Sequence, residues 1–242
     1  MSWNQPSLNQ PSQRDAFVPV DARDARVGAF LSRVYGWMFI GLLITAVTAF
    51  AVASSQGLVE MFIVNRLVFW GLIIAQLGLV FFLSARVEHL APATAALLFI
   101  AYSGLTGITS SVILLVYTGG SIAQTFIIAS TMFGAMAFFG TVTKRSLAGV
   151  GQFFFMGLIG IVIALIVNIF LQSNALQFVI SVIGVLVFTG LTAWDAQRLK
   201  QMAVALPEGR AGSFAVVGAL SLYLDFINLF FFLLHLTGGR RD

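Results

Sequence analysis

The stretch Leu220-Ser-Leu-Tyr-Leu-Asp225-Phe-Ile-Asn228-Leu-Phe230 places a carboxylate in the middle of an apolar part of the chain. An earlier stretch, Phe188-Thr-Gly-Leu-Thr-Ala-Trp-Asp195-Ala-Gln197, does the same. A carboxylate at bilayer depth costs roughly 2.5 to 3.5 kcal/mol on insertion scales, so such residues usually line an ion or proton path. The two stretches therefore predict membrane helices that each carry a functional aspartate.

The composition indicates an all-α polytopic membrane protein. Hydrophobic residues make up 59% of the 242 positions and charged residues only 9%, which is too apolar for a soluble core. There is no cysteine, and the two histidines lack an HExxH arrangement, so neither a thiolate site nor a zinc cofactor is expected. The net charge of +4 comes from short loops between apolar runs, which indicates membrane topology rather than nucleic-acid binding.

Charge-free runs predict the spans, because a spanning helix needs about 20 apolar residues. Two breaks inside long runs, at Thr118-Gly-Gly-Ser121 and at Gln172-Ser-Asn174, carry turn signals. The six predicted spans are 34–59, 67–85, the two halves of 90–143 and the two halves of 146–194, with Asp195 near the end of the sixth. The last apolar segment, 211–239, is divided by Asp225 and is either a seventh span or a broken, re-entrant element.

The polar segment 1–33 has no apolar core of the kind a secretory signal needs, so we predict an uncleaved, disordered cytoplasmic tail. Residues 34–239 then form a single transmembrane helical domain. Lysine and arginine concentrate on the side of the amino terminus, which the positive-inside rule places in the cytoplasm. Arg240 and Arg241 would lie outside if the last segment spanned fully, so the same rule mildly favours a re-entrant last element.

Helical spacing predicts which polar side chains accompany the aspartates. Ser221, Asp225 and Asn228 fall on one stripe of the last segment, and Thr192 shares a face with Asp195. If the two carboxyls meet across a helix pair, they cannot both ionise freely in a low-dielectric site, and they titrate as a unit. The expected result is a proton-sensitive switch near physiological pH.

Two alternatives to this hypothesis remain open from the residues alone. Asp195 precedes Arg198 and Lys200 by three and five positions, so it either joins Asp225 or pairs with surface charge. Arg86, at the inner end of the second span, is the cation expected to reach a carboxylate pair, or it snorkels to the interface and sets topology.

Several motifs resemble those of the Bax inhibitor-1 family, and in particular its bacterial YccA/YbhL-like branch. They extend from about residue 30 to the carboxyl end: 35–38 (YGWM), 71–77 (GLIIAQL), 132–136 (MFGAM), 143–145 (TKR), 190–197 (GLTAWDAQ) and 218–230 (GALSLYLDFINLF). The resemblance implies six spans around a central seventh helix and a pH-sensitive calcium leak. It also implies that Asp195 and Asp225 form a proton-sharing dyad, with Arg86 as the latch of the closed state.

Three functions follow as hypotheses. The first is a pH-sensitive calcium leak of the inner membrane, in which Asp195 and Asp225 transiently bind Ca²⁺ and protons compete with it. The second is a regulator of a membrane-bound ATP-dependent protease, as the resemblance suggests, in which the amino-terminal tail binds the protease. The third, an intramembrane aspartyl protease, is disfavoured because neither aspartate lies in a Tyr-Asp or Gly-x-Gly-Asp sequence. We therefore predict that the protein is not an enzyme and has no cofactor.

Overall fold

A computed structural model describes residues 20–206 and 210–241 of the chain. This part consists of helices joined by short connections, and seven of the helices are long and apolar enough to cross a membrane. The helices are α1 (Val20–Ala53), α2 (Gln56–Val59), α3 (Arg66–Arg86), α4 (Pro92–Val116), α5 (Gly119–Val142), α6 (Ala148–Leu171), α7 (Asn174–Ala205) and α8 (Ala211–Thr237), with a π-helical turn at Glu60–Val64 between α2 and α3. The all-α polytopic prediction is confirmed.

Local chemistry explains where the helices begin and end. The Thr118 side chain accepts a hydrogen bond from the Ser121 amide at 3.3 Å, which caps α5 at the first predicted break. At the second break, Gln172 adopts a left-handed conformation and Ser173 caps α7 through the Leu176 amide at 3.3 Å. Both breaks inside the long apolar runs were therefore predicted correctly.

The amino-terminal boundary of 1–33 was wrong for its last part. Helix α1 begins at Val20, because alanine and arginine are good helix formers and Phe30, Leu31 and Val34 bury one face of this extension. The rest of the predicted tail, 1–19, lies outside the described residues. The first span also ends earlier than predicted, at Ala53, because the chain turns at Ser54–Ser55 before the short α2.

Helix α8 is a single unbroken helix at the centre of the bundle, packed against α1, α4, α5 and α7. In its apolar window 72% of the residues are buried, against 6% for α3 and α6 at the periphery. Apolar packing around Asp225 keeps the helix continuous through the carboxylate, so the alternative of a broken element is contradicted and that of a central seventh helix is confirmed.

Helix α8 also runs the full length of the bundle, parallel to α4. At its start, Arg210 Nη1 donates to the Glu88 carbonyl, just before α4, at 3.2 Å. After its end, the Thr118 amide donates to the Gly239 carbonyl at 3.1 Å and the Arg241 amide to the Val116 carbonyl at 2.9 Å, at the far end of α4. A helix of 27 residues is about 40 Å long, enough to cross a bilayer. The re-entrant alternative is therefore contradicted.

The bundle has two ends of unequal charge. The basic face, as we call it, is where α1, α4, α6 and α8 begin and α3, α5 and α7 end. Its cations include Arg23, Arg26, Arg33, Arg86, Lys144, Arg145, Arg198, Lys200 and Arg210, whereas Arg66, Arg240 and Arg241 lie at the opposite face. The positive-inside rule predicts that the basic face is cytoplasmic.

Candidate functional site: an aspartate pair between the last two helices

The seam between α7 and α8 brings Asp195 and Asp225 to the same depth. The Phe188 ring stacks on the Phe232 ring with centroids 5.8 Å apart, which sets the register of the two antiparallel helices. Asp195 lies seven residues after Phe188, and Asp225 lies seven residues before Phe232. Because both helices rise about 1.5 Å per residue, the two aspartates are level with each other. Helical spacing predicted which helix face carries each aspartate, and the packing of α7 against α8 brings the two aspartates to one level.

Asp225 is enclosed by protein. Its side chain is only 4% exposed, and its Oδ2 atom has no hydrogen-bond partner. A buried carboxylate oxygen without a partner is unfavourable, and an ionisable residue at bilayer depth is by default a candidate for a functional site.

Asp195 opens toward the basic face. It is half-buried and lines a pocket of about 280 Å³ between the end of α3, the end of α7 and the start of α8. The polar groups around it are Ser84, Glu88, Arg198 and Ser221. The pair therefore has an outer member in contact with a polar pocket and an inner member that is sealed.

The predicted supporting residues fall into two groups. Ser221 lines the pocket beside Asp195. Thr192 and Asn228 instead bond within their own helices: Thr192 Oγ1 donates to the Phe188 carbonyl at 2.7 Å, and Asn228 Nδ2 donates to the Leu224 carbonyl at 2.8 Å. Their polar atoms are thus satisfied locally, and a part in the ion path stays a prediction for both.

The cation beside Asp195 in the structure is Arg198. Its guanidinium lies 5.7 Å from the centre of the Trp194 ring, and Arg198 lines the same pocket as Asp195. Lys200 turns away, because its ammonium donates to the Thr141 carbonyl at 2.7 Å. Arg86 is exposed at the last turn of α3 and is not part of the pocket lining, so its role as a latch stays a prediction.

A buried hydrogen-bonded group on the other side of α8 was not predicted. Thr45 Oγ1 lies 2.6 Å from the Tyr223 hydroxyl, 2.9 Å from the Gly41 carbonyl and 3.0 Å from the Ser103 carbonyl. A threonine hydroxyl has one proton, which it shares with the carbonyls, so Tyr223 must donate to Thr45. This group joins α1, α4 and α8. Its sequence signal was a tyrosine on the stretch that carries Asp225, two positions before it.

Comparison with known proteins agrees with the fold and the motifs. The family model described as "Inhibitor of apoptosis-promoting Bax1" matches residues 27–242. The chain is 48% identical to the inner membrane protein YbhL of Escherichia coli K12 over 220 residues, covering 90% of the chain and 94% of the relative. It is 44% identical to an uncharacterized protein of Borreliella burgdorferi, covering 88% and 93%, and 41% identical to the uncharacterized protein RP147 of Rickettsia prowazekii, covering 90% and 93%.

Proposed function

The chain belongs to the Bax inhibitor-1 family, and from the geometry of its aspartate pair we propose that it is a pH-sensitive calcium leak of the inner membrane. The observation that supports this most is the Asp225 carboxyl, buried with one oxygen unpartnered and level with Asp195. The name of the YbhL relative supports the inner membrane as the location. We propose a conductor and not an enzyme.

The entry to the path is the pocket on the basic face. Asp195 and Glu88 contribute carboxylates, and Ser84 and Ser221 contribute hydroxyls, all of them hard oxygen ligands of the kind that Ca²⁺ prefers. Arg198 lines the same pocket and opposes a cation there. Movement of Arg198 out of the pocket would favour entry of the cation.

Passage beyond the pair requires the α7–α8 seam to open. On the far side of Asp225, the Phe188–Phe232 stack fills the seam with apolar rings. A cation that reaches Asp195 therefore meets Asp225 next, and it crosses only when α7 and α8 separate. Gating in this proposal is a movement of α7 against α8.

Protons act on the same two carboxyls. Two close carboxyl groups in a low-dielectric site exchange protons as a unit, and each proton that binds removes a negative charge that would hold Ca²⁺. Protons and calcium ions therefore compete for one site, which makes the leak depend on pH.

The test is calcium flux into dye-loaded liposomes that contain the purified full chain, measured between pH 5 and 8. Four proteins are compared: the wild type, Asp195→Asn, Asp225→Asn and the double variant. Asp24→Asn serves as the matched control, because Asp24 is an exposed carboxylate on α1, away from the seam. We expect a pH-dependent leak in the wild type and the control, and its loss in the double variant.

Two outcomes would contradict the proposal. A double variant that leaks with unchanged pH dependence would show that the pair is not the pH-sensitive element. A wild type that leaks no more than empty liposomes at every pH would remove the conductor hypothesis and favour the regulator of a membrane-bound protease.

A further inference from the structure

A second charged pocket lies at the basic face, on the other side of α7 from the aspartate pair. It has a volume of about 270 Å³ and is formed by the α5–α6 connection and the last turns of α7. We propose that this pocket binds the phosphate of an anionic lipid headgroup, held by Lys144, Arg145 and Lys200.

The three cations converge from two elements. Lys144 and Arg145 belong to the α5–α6 connection, and Lys200 belongs to α7. Among the described residues that line the pocket there is no carboxylate, so nothing there neutralises these charges. Thr143 and Ser146 add hydroxyl donors to the same wall. Clustered cations with uncharged donors are the side chains that bind phosphate oxygens.

The pocket is held in shape by a buried amide. Gln197 is only 7% exposed; its Oε1 accepts from the Leu147 amide at 2.8 Å, and its Nε2 donates to the Arg145 carbonyl at 2.9 Å. Both ends of the glutamine are used to fix the backbone of the α5–α6 connection against α7. The connection therefore presents its two cations from a defined position.

Lys200 is fixed in a similar way and still has donors to offer. Its ammonium donates to the Thr141 carbonyl, at the end of α5, at 2.7 Å. An ammonium has three donors, so two remain for a ligand in the pocket. Lys200 is half-buried, whereas Lys144 and Arg145 are exposed at the rim.

The surroundings favour a lipid over free phosphate as the occupant. Apolar side chains at the pocket face outward: Val204, which lines it, is 49% exposed, and Val142, next to Thr143 in the chain, is 50% exposed. On helices that span a membrane, such residues contact acyl chains. A phosphate in the pocket would thus be continuous with an apolar surface suited to the chains of the same molecule.

The experiment is native mass spectrometry of the full chain in detergent, titrated with phosphatidylglycerol or with phosphatidylcholine of the same chains. We expect the wild type to retain one phosphatidylglycerol in preference to phosphatidylcholine. Each cation near an anionic lipid changes the affinity about fivefold, so Lys144→Gln/Arg145→Gln should weaken phosphatidylglycerol binding about 25-fold. The control, Arg26→Gln/Arg33→Gln, removes two exposed cations from α1 at the same face and should stay within about twofold of the wild type.

Further variants and a competition test the individual contacts and the class of ligand. Lys200→Gln should weaken phosphatidylglycerol about fivefold, and Lys200→Arg, which keeps the charge, should restore most of it. Three results would overturn the proposal: equal retention of the two lipids by the wild type, an equal loss in the α1 control, or displacement of phosphatidylglycerol by millimolar inorganic phosphate, which would assign the pocket to free phosphate.

Discussion

A close contact between α5 and α7 provides a stability prediction that also affects the aspartate pair. Gly140 on α5 lies against the backbone of Ala193 on α7, two residues before Asp195. A Cβ atom at position 140 would lie 2.8 Å from the Ala193 carbonyl carbon and 2.9 Å from its Cα, and closer still to its carbonyl oxygen. We therefore expect Gly140→Ala to force the two helices apart.

The size of the effect follows from which atoms must move. The contact is with helical backbone, which cannot rotate away as a flexible side chain would, so α5 and α7 must separate by roughly 1 Å. Overpacking of this kind lowers the free energy of unfolding by about 1 to 3 kcal/mol, and we expect a loss of about 3 kcal/mol here because the backbone cannot move aside. Alanine has a higher helix propensity than glycine, which offsets up to about 1 kcal/mol of this loss. A net loss of about 2 kcal/mol is equivalent to a fall in Tm of roughly 4 to 8 °C for a chain of this size.

The matched control is Gly134→Ala, six residues earlier on the same helix. A Cβ atom there has no atom within 4 Å, so the substitution should leave Tm unchanged or raise it slightly. Thermal unfolding in detergent compares the three proteins directly, and calcium flux after their reconstitution into liposomes reports whether displacement of Ala193 disturbs Asp195. If Gly140→Ala unfolds within about 2 °C of Gly134→Ala, the close approach of α5 and α7 is refuted.

Three further predictions concern single polar groups. Tyr223→Phe removes the donor to Thr45 and should lower stability by about 0.6 kcal/mol, and at most about 1.7, in a denaturing-detergent titration; a gain would contradict the bond. Asp225→Asn should not destabilise the fold in the same titration, since Oδ2 has no partner to lose, and a large loss would reveal one. Gln197→Ala removes the acceptor of the Leu147 amide hydrogen at a cost of about 1 to 3 kcal/mol, so hydrogen exchange at Leu147 should accelerate. Unchanged exchange would mean that the hydrogen bond at 2.8 Å is absent.

Most of the helices could be predicted from the sequence because lipid enforces a simple rule. Every buried backbone group must be bonded within its own helix, so a long uncharged run must be helical and a polar break must lie near a membrane surface. The turns at Thr118 and Ser173 obey this rule, and in the structure a polar side chain from each predicted break caps the helix that follows. The start of α1 at Val20 escaped the prediction because residues 20–33 extend beyond the apolar run, where charge no longer distinguishes helix from coil.

Whether α8 spans the bundle fully could not be predicted from the sequence, because the charges of this segment and its packing favour different answers. Arg240 and Arg241 favour a carboxyl end at the basic face, and Asp225 divides the apolar segment. The fifteen other buried residues of α8 outweigh both, since a helix surrounded by protein on most sides tolerates a carboxylate that lipid would exclude. Local sequence contains no measure of that enclosure.

For the aspartate pair too, the helix face that carries each carboxyl could be predicted, but the alignment of the two helices could not. Helical periodicity places Asp225 with Ser221 and Asp195 with Thr192, but only the Phe188–Phe232 contact decides that the two carboxyls are level. The position of Arg198 follows from the same packing, because it turns the basic end of α7 toward the start of α8. Spacing could therefore name the two carboxyls and offer Arg198, Lys200 and Arg86 as cations near them, but only the packing decides that Arg198 lines the pocket beside Asp195.

The hydrogen bonds around α8 indicate which helix moves if the seam opens. The Tyr223 hydroxyl forms a hydrogen bond with Thr45 on α1. The hydroxyls of Thr125 on α5 and Thr237 at the end of α8 lie 3.2 Å apart. The residues after α8 form backbone hydrogen bonds with the turn between α4 and α5. Between α7 and α8, the part of the chain that the structure describes shows apolar packing and no side-chain hydrogen bond.

Apolar surfaces slide more easily than hydrogen-bonded ones break, because separation inside a membrane leaves lost hydrogen bonds unsatisfied. We therefore expect α7 to separate from α8, which its own hydrogen bonds hold to α1, α5 and the turn after α4, and we expect the bonds between α7 and the end of α5 to limit that movement. Gln197 fixes the α5–α6 connection to α7, and Lys200 bonds α7 to the end of α5. An anionic lipid held by Lys144, Arg145 and Lys200 would join the same elements, and its expected effect is to oppose the displacement of α7 that exposes Asp225.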